Sequence, residues 1–530
     1  MPNSTAIDAD PSTPDLVRTR PSGHRFAYLL IGLLVAYVII RGIVGALAKP
    51  LWYDELLTLS IAGQPNLHEM WKAIRVGFDT QTPGFYLIEH AFLGLISNKQ
   101  LALRLPSILA FSGTLIGLFA YARRRVGDWV ACLCALLLLS TSLFHLYLIE
   151  ARGYSLMVFF ITLALVCYQR LPSARWAALL SVSFIFAESS HYYAVFGMIP
   201  FFIAEAVRVL ETRRLRWQVW VTLIVGASPL ILYWPLLSTI KAYYGSNVFS
   251  RPSFPALREY YRSFFLLKDN TDNAIGIGIA VIALIAIAWS LLLERKGGPE
   301  RVSSDSHPIP EGALLISLIA LPYIVYPLVV LGHGALLSRY VLPTVIAIVL
   351  AIGTAVSIAG RKAFSIFTLF LVCTLGFREL TFWRHPATES FNPYSAFGSK
   401  PELAQVEDFV QGAGHPELPI VMSDCLLYSQ VVYYLQPAFT NRLVYLLDER
   451  RELRYTKGDT NSKTVSGFRE FFPLHATDFA EFTASHAEFL LYSEGFDWYT
   501  PVLMSEGYSL RLLAINYSYG QVYLVKRNHP

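Results

Sequence analysis

Long apolar runs separated by short polar links fill the first 380 residues. A bilayer crossing takes about 20 mostly apolar residues. On that measure the runs at about 26–48, 103–121, 128–147, 155–168, 175–190, 193–209, 217–236, 273–293, 312–331, 340–358 and 363–380 predict about eleven transmembrane helices. The fourth to sixth runs are short and close-set, which leaves ten or twelve open. Beyond about residue 381 charged and apolar positions intermix as in a water-facing domain. There the periodicity predicts a helix at 402–411, a strand at 418–422, a helix at 424–436, a strand at 442–447, a helix at 477–486, a strand at 488–492 and a closing hairpin over 508–526. Asp424 ahead of an apolar run marks a helix start. The expected fold is therefore a polytopic α-helical membrane protein, with a transmembrane module over 26–380 and a small extracytoplasmic α/β domain over 381–530. Residues 1–25 are polar and Pro/Ser-rich and are expected to be disordered. The first apolar run follows too long a polar stretch, without a small-residue cleavage site, and reads as a retained helix.

Basic clusters orient the spans. Arg18, Arg20 and Arg25 precede the first; Arg123–Arg125, Arg170 and Arg175, Arg213, Arg214 and Arg216, Arg295, Lys296 and Arg301, and Arg361 and Lys362 follow the even-numbered spans. All fall on one side if odd-numbered spans run outward, which places the N-terminus in the cytoplasm of a plasma-membrane protein. The outer side then receives a long loop at about 49–102, a segment at about 237–272 containing Lys241 and Arg251, and the C-terminal domain.

Composition agrees. Charged residues make up only 15% of the chain, against about 25% in soluble domains. The aromatic share of 14% suits interfacial belts and a site for a ring-shaped or lipidic ligand. The net charge of +5 is dispersed between apolar runs, so no nucleic-acid face is indicated. Cys132, Cys134, Cys167, Cys373 and Cys425 show neither metal spacing nor a disulfide framework.

The first outer loop concentrates candidate chemistry. It opens on Leu51-Trp52-Tyr53-Asp54-Glu55, continues through Asp79-Thr80-Gln81-Thr82-Pro83-Gly84-Phe85-Tyr86, and ends at Leu103-Arg104-Leu105-Pro106-Ser107. A carboxylate in a low-dielectric pocket has a raised pKa and suits a general base. Basic and aromatic residues sit at other outer ends: Glu150-Ala151-Arg152-Gly153-Tyr154, His191-Tyr192-Tyr193, and Ser338-Arg339-Tyr340-Val341-Leu342-Pro343. Plainer readings compete at each position. Asp54 and Glu55 would cap a loop helix, Arg104 would snorkel, Arg152 would pair with Glu150, and Arg339, Tyr340 and the His191 group would mark the membrane interface.

In their order and outer-side placement these motifs resemble the bacterial branch of the dolichyl-phosphate-mannose–protein mannosyltransferase superfamily, the C-type glycosyltransferases. That branch includes lipid A aminoarabinose and lipopolysaccharide-core transferases that use polyprenyl-phosphate sugars. The resemblance runs from about residue 26 to the end. It implies a glycosyltransferase with Asp54 as catalytic base, Glu55 beside it, and Asp79 in a second acidic motif. Many relatives carry His-Pro-Pro where this chain has Gln81-Thr82-Pro83, and an amide cannot carry protons as His does. A divalent metal near Asp54 and Glu55 is left open, and no other cofactor is implied.

The chemistry of sugar transfer makes matching demands. A base takes the acceptor proton, and cations stabilise the departing lipid phosphate. Arg152 and Arg339 suit the phosphate, with Tyr340, Arg104 and Lys241 as further candidates; His191, Tyr192 and Tyr86 are candidate substrate contacts. No Gly-rich nucleotide loop is present. The expected partners are a polyprenyl-phosphate sugar donor, membrane lipids, and a glycan, lipid or protein acceptor. A transporter or lipid flippase is the main alternative, but it would place its charges near the bilayer midplane in repeated halves. A non-catalytic scaffold displaying the C-terminal domain would need no acidic loop.

Overall fold

The computed structural model describes residues 21–244, 252–265, 308–386, 400–495, 497–516 and 520–528. The predicted span at 273–293, the cluster Arg295, Lys296 and Arg301, Arg251, Arg18, Arg20 and most of the expected disordered segment lie outside these residues. Helix α1 runs Pro21–Ala48, so residues 21–25 belong to the first helix rather than to a disordered tail.

Between α1 and the next long helix the first loop folds into three short helices, α2 (Tyr53–Ala62), α3 (Leu67–Val76) and α4 (Pro83–Leu95). Local signals start each one. The Glu55 carboxylate accepts the Trp52 N–H at 3.1 Å, the Asn66 side chain accepts the His68 and Glu69 N–H groups at 3.0 Å, and Pro83 sits in the first turn of α4, where its missing N–H costs nothing. In α3, Met70, Ala73 and Ile74 are buried while Leu67 and Trp71 are exposed.

The membrane module continues with α5 (Lys99–Val126), α6 (Asp128–Leu139), α7 (Ser142–His145), α8 (Tyr154–Tyr168), α9 (Ala174–Ser190), α10 (Ile199–Thr212), α11 (Trp217–Gly226), α12 (Pro229–Tyr244) and α13 (Leu257–Ser263). It closes with helices Pro308–Ile319, Leu321–Leu331, Pro343–Ile358 and Arg361–Arg384. Among the described residues five helical stretches are long and apolar enough to cross a membrane, or six if the pair Ile309–Ile319 and Leu321–Leu331, bent by 58°, is one span. The expected runs at 128–147, 155–168 and 340–358 form shorter apolar helices, Asp128–Leu139, Tyr154–Tyr168 and Pro343–Ile358.

The C-terminal domain is an α/β sandwich around a six-stranded sheet in the order β3-β2-β1-β4-β6-β5. Its strands are β1 (Ile420–Met422), β2 (Leu443–Leu447), β3 (Ala476–Asp478), β4 (Glu488–Ser493), β5 (Tyr508–Asn516) and β6 (Gly520–Arg527). β1, β2, β3 and β4 pair in parallel, and the β5–β6 hairpin adds antiparallel to β4. Asp424 caps the helix Cys425–Tyr434 by accepting the Leu426 and Leu427 N–H groups, as its position before an apolar run predicted. The sequence had placed a helix across 477–486; its first residues form β3, and the helix starts at Phe479.

This domain is fused to the acidic loop, with one apolar cluster joining Leu51, Tyr53, Phe78 and Phe85 to Val431, Phe468 and Phe472. Phe78 stacks between Phe468 and Phe471, at ring distances of 6.0 and 5.8 Å. Gln430 donates to the Leu51 carbonyl at 3.0 Å, and the Leu51 N–H donates to the Tyr434 hydroxyl at 2.6 Å. From α12, Tyr243 donates to the Lys463 carbonyl and Tyr244 to the Phe78 carbonyl, each at 2.5 Å. The residues that follow Leu51 are therefore held from both sides.

Candidate functional site

The turn between α1 and α2 is built by one buried ion pair. Arg104, fully buried near the start of α5, makes five hydrogen bonds. Three go to the carbonyls of Ala46, Lys49 and Pro50, at 2.9, 2.6 and 2.9 Å. The other two go to Glu55, at 2.8 and 2.5 Å. These carbonyls lie at the end of α1, where the helix cannot satisfy them itself. Glu55 also accepts the Ala151 N–H at 3.0 Å. The pair thus clamps the end of α1, the start of α2 and the loop after α7. With its N–H groups spent, Arg104 has none for a phosphate, and Glu55 has no free edge for catalysis. Both side chains shape the site and do not face it.

Asp54, one residue before Glu55, is turned the other way. Its carboxylate lies 3.8 Å from Arg152 Nε and 4.0 Å from Arg339 Nη1, attractive distances that are too long for hydrogen bonds. Its side chain keeps 16% exposure, whereas Glu55 keeps 1%. Burial pushes the Asp54 pKa above the usual carboxylate range, against the lowering pull of Arg152 and Arg339 and with a further rise from Asp79 and Glu55.

Arg152 is fixed by Asp79 through two parallel bonds, Nη1 to Oδ2 at 2.7 Å and Nη2 to Oδ1 at 2.8 Å. Asp79 in turn accepts the Tyr86 hydroxyl at 2.7 Å and the Thr80 N–H at 2.7 Å. The fork is the bidentate geometry that Arg makes and Lys cannot. It leaves Arg152 Nε buried, without a hydrogen-bond partner among the described residues, on the side facing Asp54. Asp79 is thereby a positioning group, and its two oxygens are occupied. Two residues that the sequence reading passed over complete the frame. Thr58 donates to the Ala151 carbonyl at 3.1 Å and lies 3.2 Å from Arg152 Nη1, and Ser107 donates to the Glu150 carbonyl at 2.6 Å. Ser107 stands in a motif already noted and Thr58 just beyond another, but nothing in a hydroxyl's spacing announces a bond to a loop some 40 to 90 residues away.

Arg339 is placed by the short 3-10 turn Ser338–Val341. Its guanidinium lies 5.7 Å from the Tyr154 ring and 5.8 Å from the Tyr340 ring, within cation–π reach. Tyr340 stacks on Tyr193 at 4.3 Å and approaches His191 at 5.5 Å. Burial, together with Arg152 and Arg339, holds the His191 pKa down at about 3, so the ring is neutral and adds no positive charge. Its Nδ1 accepts the Tyr193 N–H at 3.2 Å. Burial also pushes the Glu150 carboxyl, close to Arg339 and Asp54, up to about 8.

One expected contact stands apart: Lys241 is exposed on α12, and no contact among the described residues ties it to the cluster. Tyr192 sets its ring edge-on to Tyr233 at 5.8 Å and lies within electrostatic reach of Asp79 and Tyr86. Among the described residues no group of three His, Cys, Asp or Glu side chains converges as a metal-ligand set. Asp54, Asp79, Arg152, Arg339, Tyr340, Tyr86 and His191 do come together. Gly153 permits this closeness, because a Cβ there would lie 2.0 Å from the Ser190 carbonyl oxygen.

No protein-family model matches the chain, and no curated protein matches it. Solved structures do. ArnT from Cupriavidus metallidurans bound to undecaprenyl phosphate aligns over 93% of this chain and 97% of its own, at 13% identity and a TM-score of 0.50. The oligosaccharyltransferase AglB from Archaeoglobus fulgidus, in complex with an inhibitory peptide and a dolichol-phosphate, aligns over 94% of this chain and 74% of its own, at 11% identity and a TM-score of 0.47. The likeness to ArnT identifies the architecture as the C-type glycosyltransferase fold.

Proposed function

We propose that this chain is a membrane glycosyltransferase that moves one sugar from a polyprenyl phosphate to an acceptor hydroxyl on the outer face of the plasma membrane. The observation that carries this reading is the approach of Arg152 and Arg339, at 3.8 and 4.0 Å, to a carboxylate they do not hydrogen-bond. Asp54 takes the acceptor proton as that oxygen attacks the anomeric carbon. The bond from that carbon to the phosphate oxygen breaks, and its electron pair leaves with the lipid phosphate. Arg152 and Arg339 meet the charge that builds there, in a site with little water, where such charges count most. The elevated pKa of Asp54 makes it a stronger base than a surface carboxylate, at the expense of some deprotonated fraction. A single displacement inverts the anomeric centre. The basic-loop asymmetry supports an N-terminus in the cytoplasm and the α/β domain outside, and the fold shared with a protein solved with undecaprenyl phosphate supports a lipid-phosphate donor.

The test compares wild-type and Asp54→Asn membranes supplied with polyprenyl-phosphate sugars, with products read by mass spectrometry. Transfer is expected to vanish in the variant while thermal unfolding of the purified chain is unchanged. Retained transfer would remove Asp54 from the role, and a product with retained anomeric configuration would remove the single displacement.

A further inference from the structure

The last turns of α12 extend beyond the bilayer core. α11 and α12 together form one stretch, Trp217–Tyr244, that is long and apolar enough to cross a membrane. Trp217 and Trp234 are both exposed on it, at 61 and 69%. At about 1.5 Å per residue they stand about 26 Å apart, close to the roughly 30 Å of the hydrocarbon core, as tryptophans at its two interfaces do. Exposed residues change character there: Ile231 and Leu232 come before Trp234, Ser238 and Lys241 after it. Lys241 lies about 10 Å beyond Trp234, and its long side chain reaches back to the headgroups.

That end of α12 carries part of the C-terminal domain. Tyr243 donates to the Lys463 carbonyl at 2.5 Å, and the Tyr244 and Thr464 hydroxyls lie 3.0 Å apart. Both partners belong to the helix Thr460–Phe468, whose first turn is tied to the preceding helix, Glu449–Thr456. Glu452 makes the tie, accepting the Ser462 N–H at 2.8 Å and the Asn461 N–H at 3.3 Å. Glu452 is buried, so the opposite face of its helix points outward. That face carries Arg450, Arg454 and the C-cap residue Lys457, at i, i+4 and i+7, all three exposed. None of the three is ion-paired among the described residues. Their neighbour Arg451 differs, pairing with Asp448 at 3.0 Å and with Glu506. Several exposed bases elsewhere are also paired, Lys72 with Glu69 at 2.7 Å and Lys526 with Glu488 at 2.8 Å. Glu449, about 100° round the helix from Arg450, lies within electrostatic reach of Tyr243. The basic face therefore begins level with the end of α12.

We infer that Arg450, Arg454 and Lys457, together with Lys241, form a docking surface for the anionic phospholipid headgroups of the leaflet on which the C-terminal domain lies. Charge complementarity and the level set by Trp234 and Lys241 both point to that partner. A base beside an anionic leaflet contributes about fivefold in binding, so the three on this face contribute about a hundredfold. The contact also bears on the site. The helix Thr460–Phe468 ends on Phe468, which stacks on Phe78, the neighbour of Asp79. Headgroups that hold the basic face thus steady the wall behind Asp79.

The purified full chain tests this in nanodiscs of phosphatidylcholine alone or enriched in phosphatidylglycerol, with hydrogen–deuterium exchange read by mass spectrometry. Phosphatidylglycerol is expected to slow exchange across residues 449–457 several-fold, and added salt should erase the slowing. The triple variant Arg450→Gln, Arg454→Gln, Lys457→Gln, altered only at exposed positions, should lose it. Arg511→Gln, on the exposed face of the edge strand β5, should keep it. Equal exchange in the two lipids means a solvated face and overturns the inference. Slowing that persists in the triple variant places the lipid elsewhere and overturns it too. Slowing by soluble dextran sulfate in phosphatidylcholine discs, with none from phosphatidylglycerol, assigns the face to a polyanionic glycan and also overturns it. The readout is exchange, not turnover, so Asp54→Asn protein should respond as wild type whether or not the chain transfers sugar.

Discussion

Glu55 and Asp54 are adjacent carboxylates with opposite assignments, and a double-mutant cycle separates them. Glu55→Gln keeps shape but removes the charge that neutralises Arg104 at 0% exposure. Breaking one side of a buried pair costs about 3–5 kcal/mol, because the other charge stays buried without compensation. Arg104→Met strands Glu55 in the same way and also strips donors from the carbonyls of Ala46, Lys49 and Pro50. Those carbonyls add about 1 kcal/mol each. In the double variant the stranded-charge penalty disappears from both sides and only the lost caps remain. The double variant should therefore be destabilised by several kcal/mol less than the sum of the singles, a coupling well above the roughly 0.5 kcal/mol scatter of independent sites. Denaturant unfolding in detergent, followed by intrinsic fluorescence, measures the cycle. Sugar transfer on the same proteins should track the folded fraction. A Glu55→Gln protein as stable as wild type but without transfer would refute the clamp and return Glu55 to catalysis.

The base assignment predicts that transfer rises with pH along an acid limb lying above the ordinary carboxylate range, because the raised pKa of Asp54 must be passed before the deprotonated form dominates; a limb at the surface-carboxylate value would contradict it. Glu150 ionises at about 8 when folded against an ordinary 4.5, so the folded state binds more protons between those values and stability should fall as pH rises through them. Glu150→Gln should flatten that fall in a pH series of melting midpoints. Arg152→Lys keeps the charge but loses the fork to Asp79, and should raise the donor KM about tenfold to a hundredfold, corresponding to the roughly 1.5–3 kcal/mol of a hydrogen bond to a charged group.

The parts of this architecture that follow from periodicity were legible. Apolar length located a helix at each described run, five or six of them long and apolar enough to cross a membrane against the eleven spans expected, and alternation gave β1, β2, β4 and the β5–β6 hairpin nearly to the residue. The site was legible as a set of residues but not as a set of roles. Arg104, Arg152 and Arg339 look alike in sequence, each near a helix end beside aromatic or apolar neighbours. What distinguishes them is the partner that folding supplies: Glu55 with three carbonyls for the first, Asp79 for the second, and the Tyr154 and Tyr340 rings for the third. Apart from Tyr340, the neighbour of Arg339, those partners are 49 to 73 residues away or, like Tyr154, belong to another element, and no local pattern encodes them. β3 was missed for a related reason. Its three residues are too few to show an alternation, and its place is fixed by pairing with β2.

The same partners explain why, of Asp54, Glu55 and Asp79, Asp54 is the one suited to take a proton. Glu55 accepts four hydrogen bonds and Asp79 accepts four, two of each set from a guanidinium. A carboxylate so occupied can gain a proton only by giving up charge-assisted bonds. Asp54 has the attraction of two guanidiniums without their hydrogen bonds, at 3.8 and 4.0 Å. It can gain a proton without dismantling anything, and in the proposed transfer the guanidinium charge it faced then faces the phosphate. In the proposed reaction, proton uptake at Asp54 and charge release on the lipid become one redistribution, in which the positive groups stay in place and the negative charge they face moves from carboxylate to phosphate. Such an arrangement needs the arginines held rigidly by something other than the base, and that is the work of Asp79, Tyr86 and the Glu55–Arg104 clamp.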